Sequence, residues 1–120
     1  MRFPFDKRFS SGDLWLLNET KVNSETLISV GNHYVTKASS TGVAYPDYLR
    51  LDATGKDATV HKLISIIQNA APGITEICIH PGYTSERQRN ELQILLEPKL
   101  LAVLRSSPDI ELVNFGILGK

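Results

Sequence analysis

Ile77-Cys78-Ile79-His80-Pro81-Gly82-Tyr83 is the stretch on which the fold turns: an apolar run stops at an ionisable ring and a Pro-Gly pair. With Ile74-Thr75-Glu76 ahead of it, the composition and length predict a strand over Ile74 to His80. A histidine closing such a strand stands where parallel α/β enzymes keep their chemistry, at the carboxyl end.

In an extended backbone side chains alternate, so Glu76, Cys78 and His80 are expected on one face and Thr75, Ile77 and Ile79 on the other. The apolar face is expected to meet helices, and the polar face to line a crevice or a barrel interior. At about 3.3 Å per residue, His80 stands roughly 13 Å from Glu76 and roughly 6.6 Å from Cys78, beyond a carboxylate–imidazole dyad and beyond a thiol–imidazole pair alike. Cys78 therefore reads as a buried thiol. Pro81-Gly82 predicts a type II turn that aims the His80 ring and the Tyr83 hydroxyl. The structural alternatives are a His80 that caps its strand by bonding a carbonyl and a Tyr83 that simply packs.

Working outward, Ser85 with Glu86 in its first turn opens a helical run carrying Leu92, Leu95 and Leu96 on one face. Pro98 suits the first turn of a further helix with Leu100, Leu101, Val103 and Leu104, ending before Ser106-Ser107-Pro108-Asp109. Arg89 and Glu91 read as solvated or capping residues at the start of their helix. Ile110 to Phe115 is expected as a last apolar strand. Before the histidine strand, Val60, Leu63, Ile64 and Ile67 fall at i, i+3, i+4 and i+7 of an amphipathic helix that Ala71-Pro72-Gly73 stops.

Val43 to Leu51, with Pro46, predicts an edge strand or an extended connection. Asp13 to Lys37 has helical spacing that Asn18 to Ser24 interrupts, which fits one long helix or two short ones, and Ser39-Ser40-Thr41-Gly42 ends it. Met1 to Gly12 resembles a short strand and a turn. Alternation of helices and strands predicts an α/β fold with a parallel sheet of about three to four strands, part of a (β/α) TIM-like barrel whose closed form needs about eight.

Composition narrows the function. A chain of 120 residues predicts a single domain over 1–120. Thirteen basic residues balance thirteen acidic ones, so no global field draws the chain to nucleic acid or an anionic membrane. One cysteine forms no internal disulfide, and with three scattered histidines it matches no zinc-finger spacing. His33 and His61 each lack a second ligand at i+3 or i+4. The amino terminus lacks the apolar run of a signal peptide, and no stretch reaches the roughly 20 apolar residues of a membrane span. A cytoplasmic protein is expected.

The order of these motifs resembles the YdjC-like family of carbohydrate deacetylases, whose best-described members remove acetyl groups from chitooligosaccharides. The resemblance runs through Arg2-Phe3-Pro4, the Gly42 to Tyr48 segment with Pro46-Asp47, and Thr75-Glu76-Ile77-Cys78-Ile79-His80-Pro81-Gly82-Tyr83. It continues through Arg89, Glu91-Leu92, Leu95 and Pro98 to Ile110-Glu111-Leu112-Val113 and Phe115. It implies a distorted TIM-like barrel that hydrolyses an N-acetyl group with a divalent metal, magnesium or zinc, an aspartate base, and a histidine assisting the leaving amine or the tetrahedral intermediate.

His80 matches that catalytic histidine, and Tyr83, Gly82 and Arg2 match substrate-side positions. The resemblance covers the carboxy-terminal half only: nothing here matches the family's Asn-Ala-Asp-Asp-like strand or its Asp-x-His-x-His-like segment, which hold the metal and the base. The chain alone is therefore expected to bind no metal and to be inactive or nearly so. Its expected partners are an amino-sugar or oligosaccharide substrate and either a second copy or a complementary amino-terminal half. The alternatives are a non-enzymatic α/β interaction module derived from such an enzyme, and an unrelated small hydrolase built on Cys78 or His80.

Overall fold

The computed structural model describes residues 23–55 and 58–119. Its elements are α1 (Ser24–Thr41), β1 (Tyr48–Arg50), α2 (Val60–Gln68), β2 (Thr75–Ile77), α3 (Glu86–Leu96), α4 (Pro98–Ser106) and a 3₁₀ turn (Phe115–Gly119). The chain divides into two compact units, 1–49 with 115–120 and 50–114, the division falling inside β1. Strands β1 and β2 form a two-stranded parallel sheet.

In the first unit the described part is mainly α1. Asn23 caps it by accepting from the Thr26 N–H at 2.8 Å, satisfying one of the donors a helix start leaves open. Gly42 ends it in the left-handed conformation, φ 71°, with its N–H given to the Ala38 carbonyl. That φ suits glycine, which has no Cβ to collide with the following carbonyl. Ser39, Ser40 and Thr41 stay helical, so the glycine alone stops the helix where the whole Ser39–Gly42 run was expected to.

The second unit holds the core. Leu63, Ile66 and Ile67 of α2 pack with Ile94 of α3, Leu100 of α4, and Ala53 and Ala58. Ile77 and Ile79 lie against this cluster, as the apolar face of the histidine strand requires. Each helix begins on a local signal: the Thr59 hydroxyl accepts from the Lys62 N–H at 3.1 Å, and the Ser85 hydroxyl from the Gln88 N–H at 3.2 Å. Pro98 occupies the start of α4, where its missing N–H costs nothing, and holds Glu97 extended at φ −64°, ψ 123°. One residue thus ends α3 and begins α4. An apolar groove of about 880 Å³ runs along this unit, lined by Ile66, Ile67, Ile77, Leu100, Leu104 and Leu112 among others.

Several expectations change. The described residues are α/β but carry two strands rather than three to four. Val43 to Leu51 contracts to Tyr48–Arg50 and Ile74 to His80 to Thr75–Ile77. Residues 110–115 are not a strand: Glu111 to Phe115 are exposed, and the one sheet among the described residues joins β1 only to β2. The inward face of α3 presents Glu91 and Ile94, while Leu95 and Leu96 are 39% and 65% exposed. The strand expected within 1–12 lies outside the described residues. Among the described residues no helix is long and apolar enough to cross a membrane.

Candidate active site

Strand β2 stops at Ile77, and Cys78, Ile79 and His80 follow outside it, with Ile79 still on the core side like Ile77. The Cys78 N–H still bonds the Arg50 carbonyl of β1 at 2.9 Å, so the chain is anchored at the sheet's end before it turns. Beyond that anchor Cys78 is buried and the His80 side chain is 53% exposed. Their side chains meet: Cys78 Sγ lies 3.7 Å from His80 Nε2. The separation expected from the backbone rise alone is thereby corrected: the two side chains share a face, and their own reach closes the gap that the backbone spacing leaves.

The other side of the ring faces Glu91. Its Oε2 accepts the His80 backbone N–H at 2.6 Å and lies 3.7 Å from His80 Nδ1. Its Oε1 accepts the Gly55 N–H at 2.8 Å and Arg87 Nε–H at 3.0 Å. Glu91 is therefore no solvated helix-start residue; its side chain is completely buried. Burial pushes its carboxyl up, but the N–H groups of Gly55 and His80 and the bond and charge of Arg87 outweigh that and hold it below the ordinary carboxylate range. A helical walk one turn back from Ile94 lands on Glu91, and that spacing was the available sign of its inward direction.

Glu91 joins two loops that leave the carboxyl ends of both strands. Gly55 closes the turn after β1, where Thr54 Oγ1 donates to the Leu51 carbonyl at 3.0 Å and Arg50 grips Asp52 through Nε–Oδ1 at 2.8 Å. That bond to Arg50 is the main reason the Asp52 carboxyl lies below its ordinary range, against the upward push of burial.

The remaining residues singled out from sequence fall as follows. Gly82 gives its N–H to the Gln88 carbonyl at 3.2 Å, and a Cβ there would meet the Gln88 side chain at 3.1 Å. Its φ is not positive, so Pro81-Gly82 is not the expected type II turn; the bond to α3 sets its backbone instead. Tyr83 is 77% exposed, and its carbonyl accepts from Arg89 at 2.9 Å. Thr84 and Gln88 bond side chain to side chain beside it. Arg2 lies outside the described residues. His33 is exposed on α1 with its ring edge-on to Tyr34, and His61 is exposed on α2.

Among the described residues no three His, Cys, Asp or Glu side chains converge as metal ligands. Cys78 and His80 offer one sulfur and one ring nitrogen, unlike the oxygen-rich set that magnesium takes and fewer than the three protein ligands a zinc site uses. The described residues do not fit the divalent metal that the resemblance implies.

What the arrangement offers is a half-exposed imidazole at the end of a parallel strand, oriented from one side by a buried carboxylate and touched from the other by a thiol. A family model described as YdjC-like protein matches residues 1–106. No curated protein and no solved structure matches the chain. With that match spanning most of its length, the chain belongs to the YdjC-like family, whose members are carbohydrate deacetylase-like.

Proposed function

We propose that this chain contributes the proton-donating part of a site that hydrolyses N-acetyl groups on an amino sugar or chitooligosaccharide. In that reaction water adds to the acetamide carbonyl carbon, the C–N bond breaks, acetate forms, and the sugar nitrogen leaves as an amine. His80 gives the proton that the leaving nitrogen takes up and regains one from solvent, a role suited to an imidazole that can hand a proton to a departing group. Tyr83 and Gly82, next along the chain, and Arg2 are assigned to the substrate side. The observation that carries the reading is the exposed His80 ring at the carboxyl end of β2, together with the family match.

The residues that activate water, and the magnesium or zinc the resemblance implies, are assigned to a complementary amino-terminal half supplied in the same or another chain. Acetate release from diacetylchitobiose, with magnesium or zinc added, tests this. The chain alone is expected to release none, and addition of the amino-terminal half of a YdjC-like protein is expected to give turnover that His80→Ala abolishes. Turnover by the chain alone would overturn the division of labour, and undiminished turnover with His80→Ala would overturn the histidine's role.

The apolar groove lined by Ile66, Ile67, Ile77 and Leu112 favours a second reading, an interaction module that associates with itself. Sedimentation decides it: a dimer or larger species is expected, and a monodisperse monomer counts against it.

A further inference from the structure

A histidine that passes a proton must present the correct ring nitrogen, and the choice is made by whatever the other nitrogen faces. Around His80 the two sides differ in charge. Nδ1 faces Glu91 Oε2 at 3.7 Å, and that same oxygen holds the His80 backbone N–H at 2.6 Å. Nε2 faces the Cys78 thiol at 3.7 Å. From these contacts we infer that Glu91 is the positioning residue of His80: it keeps the neutral ring protonated at Nδ1, so that Nε2 is the nitrogen that exchanges protons with a substrate.

The electrostatics run in one direction. Glu91 is fully buried and ionised, and its charge is held by the N–H groups of Gly55 and His80 and by Arg87. A neutral ring with its proton on Nε2 would aim the Nδ1 lone pair at that carboxylate, two electron-rich groups facing each other. With the proton on Nδ1 the same contact becomes attractive, and the Nε2 lone pair can accept from the Cys78 S–H. The backbone bond matters as much, since it fixes the His80 main chain to the atom that faces its own ring. Among the described residues, Arg87 and Gly55 occupy Oε1 and His80 takes Oε2.

The catalytic consequence rests on the deacetylase reading; the ring's protonation does not, and the two are separable by experiment. Long-range ¹H–¹⁵N spectra of the full chain, with the His80 ring identified by its loss in His80→Ala, report which nitrogen bears the proton. The expected result is a pyrrole-type Nδ1 and a pyridine-type Nε2 in the neutral ring, with the proton moving toward Nε2 in Glu91→Gln. Cys78→Ala should keep the wild-type pattern, because the thiol follows the ring and does not set it.

A neutral wild-type ring protonated at Nε2 would overturn the inference, and that measurement needs no variant to fold. An unchanged ring in folded Glu91→Gln, or a reversed one in Cys78→Ala, would overturn it as well. In the reconstituted acetate assay, Glu91→Gln should lower kcat about 100-fold with KM little changed, the scale of a lost general acid. Absence of acetate release by the wild-type mixture beside the expected spectra would overturn the deacetylase reading while the ring assignment stood.

Discussion

Glu91 accepts the backbone N–H of His80 at 2.6 Å across eleven positions of sequence, with its carboxylate completely buried. The same side chain takes the N–H of Gly55, 36 positions away. One carboxylate thus holds together the loops that follow both strands of the sheet, and the imidazole of the proposed site projects from one of them. A side chain in that position has consequences for folding that can be measured apart from any chemistry.

Replacing Glu91 with Ala removes the acceptor of two backbone N–H groups at once. Each N–H left without a partner costs about 1–3 kcal/mol, so a large fall in the urea midpoint is expected, well beyond that of an exposed carboxylate such as Glu86 in the same helix. Equal effects of Glu91→Ala and Glu86→Ala would show that the buried clamp contributes nothing.

The acid limb of stability follows from the lowered carboxyls of Glu91 and Asp52. A folded-state value below the unfolded one adds stability that is complete above the unfolded value and disappears as pH falls through the folded value. The protein should therefore lose stability below about pH 4.5 for Glu91, with Asp52 adding a loss below about 3.8. Thermal melts across this range should fall steeply for the wild type, and Asp52→Asn should flatten the lower part. A melting temperature independent of pH there would contradict both assignments.

Helix α1 ends on the left-handed backbone of Gly42, whose N–H bonds the Ala38 carbonyl, and not on a side-chain contact. Gly42 has φ 71°, and a Cβ added there would meet nothing within 4 Å. Gly42→Ala should therefore cost only the left-handed strain, about 1–2 kcal/mol, in denaturant melts followed by circular dichroism. No measurable cost would mean that the helix ends elsewhere.

The two leucine-rich helices should answer differently to truncation. Leu100 of α4 is 5% exposed in the core, so Leu100→Ala should cost about 2–5 kcal/mol. Leu96 of α3 is 65% exposed, and Leu96→Ala should change stability by less than about 0.5 kcal/mol. Urea midpoints for the pair check the orientation of α3, and comparable losses would place Leu96 in the core.

Much of the local structure was legible in residue order, because its causes act within a turn or two. Ser85 caps α3, Pro98 opens α4, and the Val60–Ile67 spacing marks α2. The lengths of the strands were not legible in the same way. Ile110 to Phe115 has the composition of a strand, but a strand depends on a neighbour to bond, and its own residues carry no record of whether one arrives.

At the site, the sequence by itself determined that an imidazole would follow an apolar strand, with Cys78 two positions before it and Tyr83 three after. The family motifs could be recognised from the same order of residues. Only the tertiary structure decided that Cys78 and His80 touch and that Glu91 is buried against His80. The physical reason is that burial and charge are set by what folds against a residue. Glu91 reads as a surface carboxylate until the turn at Gly55 and the segment after Ile77 bring their N–H groups to it and stabilise its charge away from water.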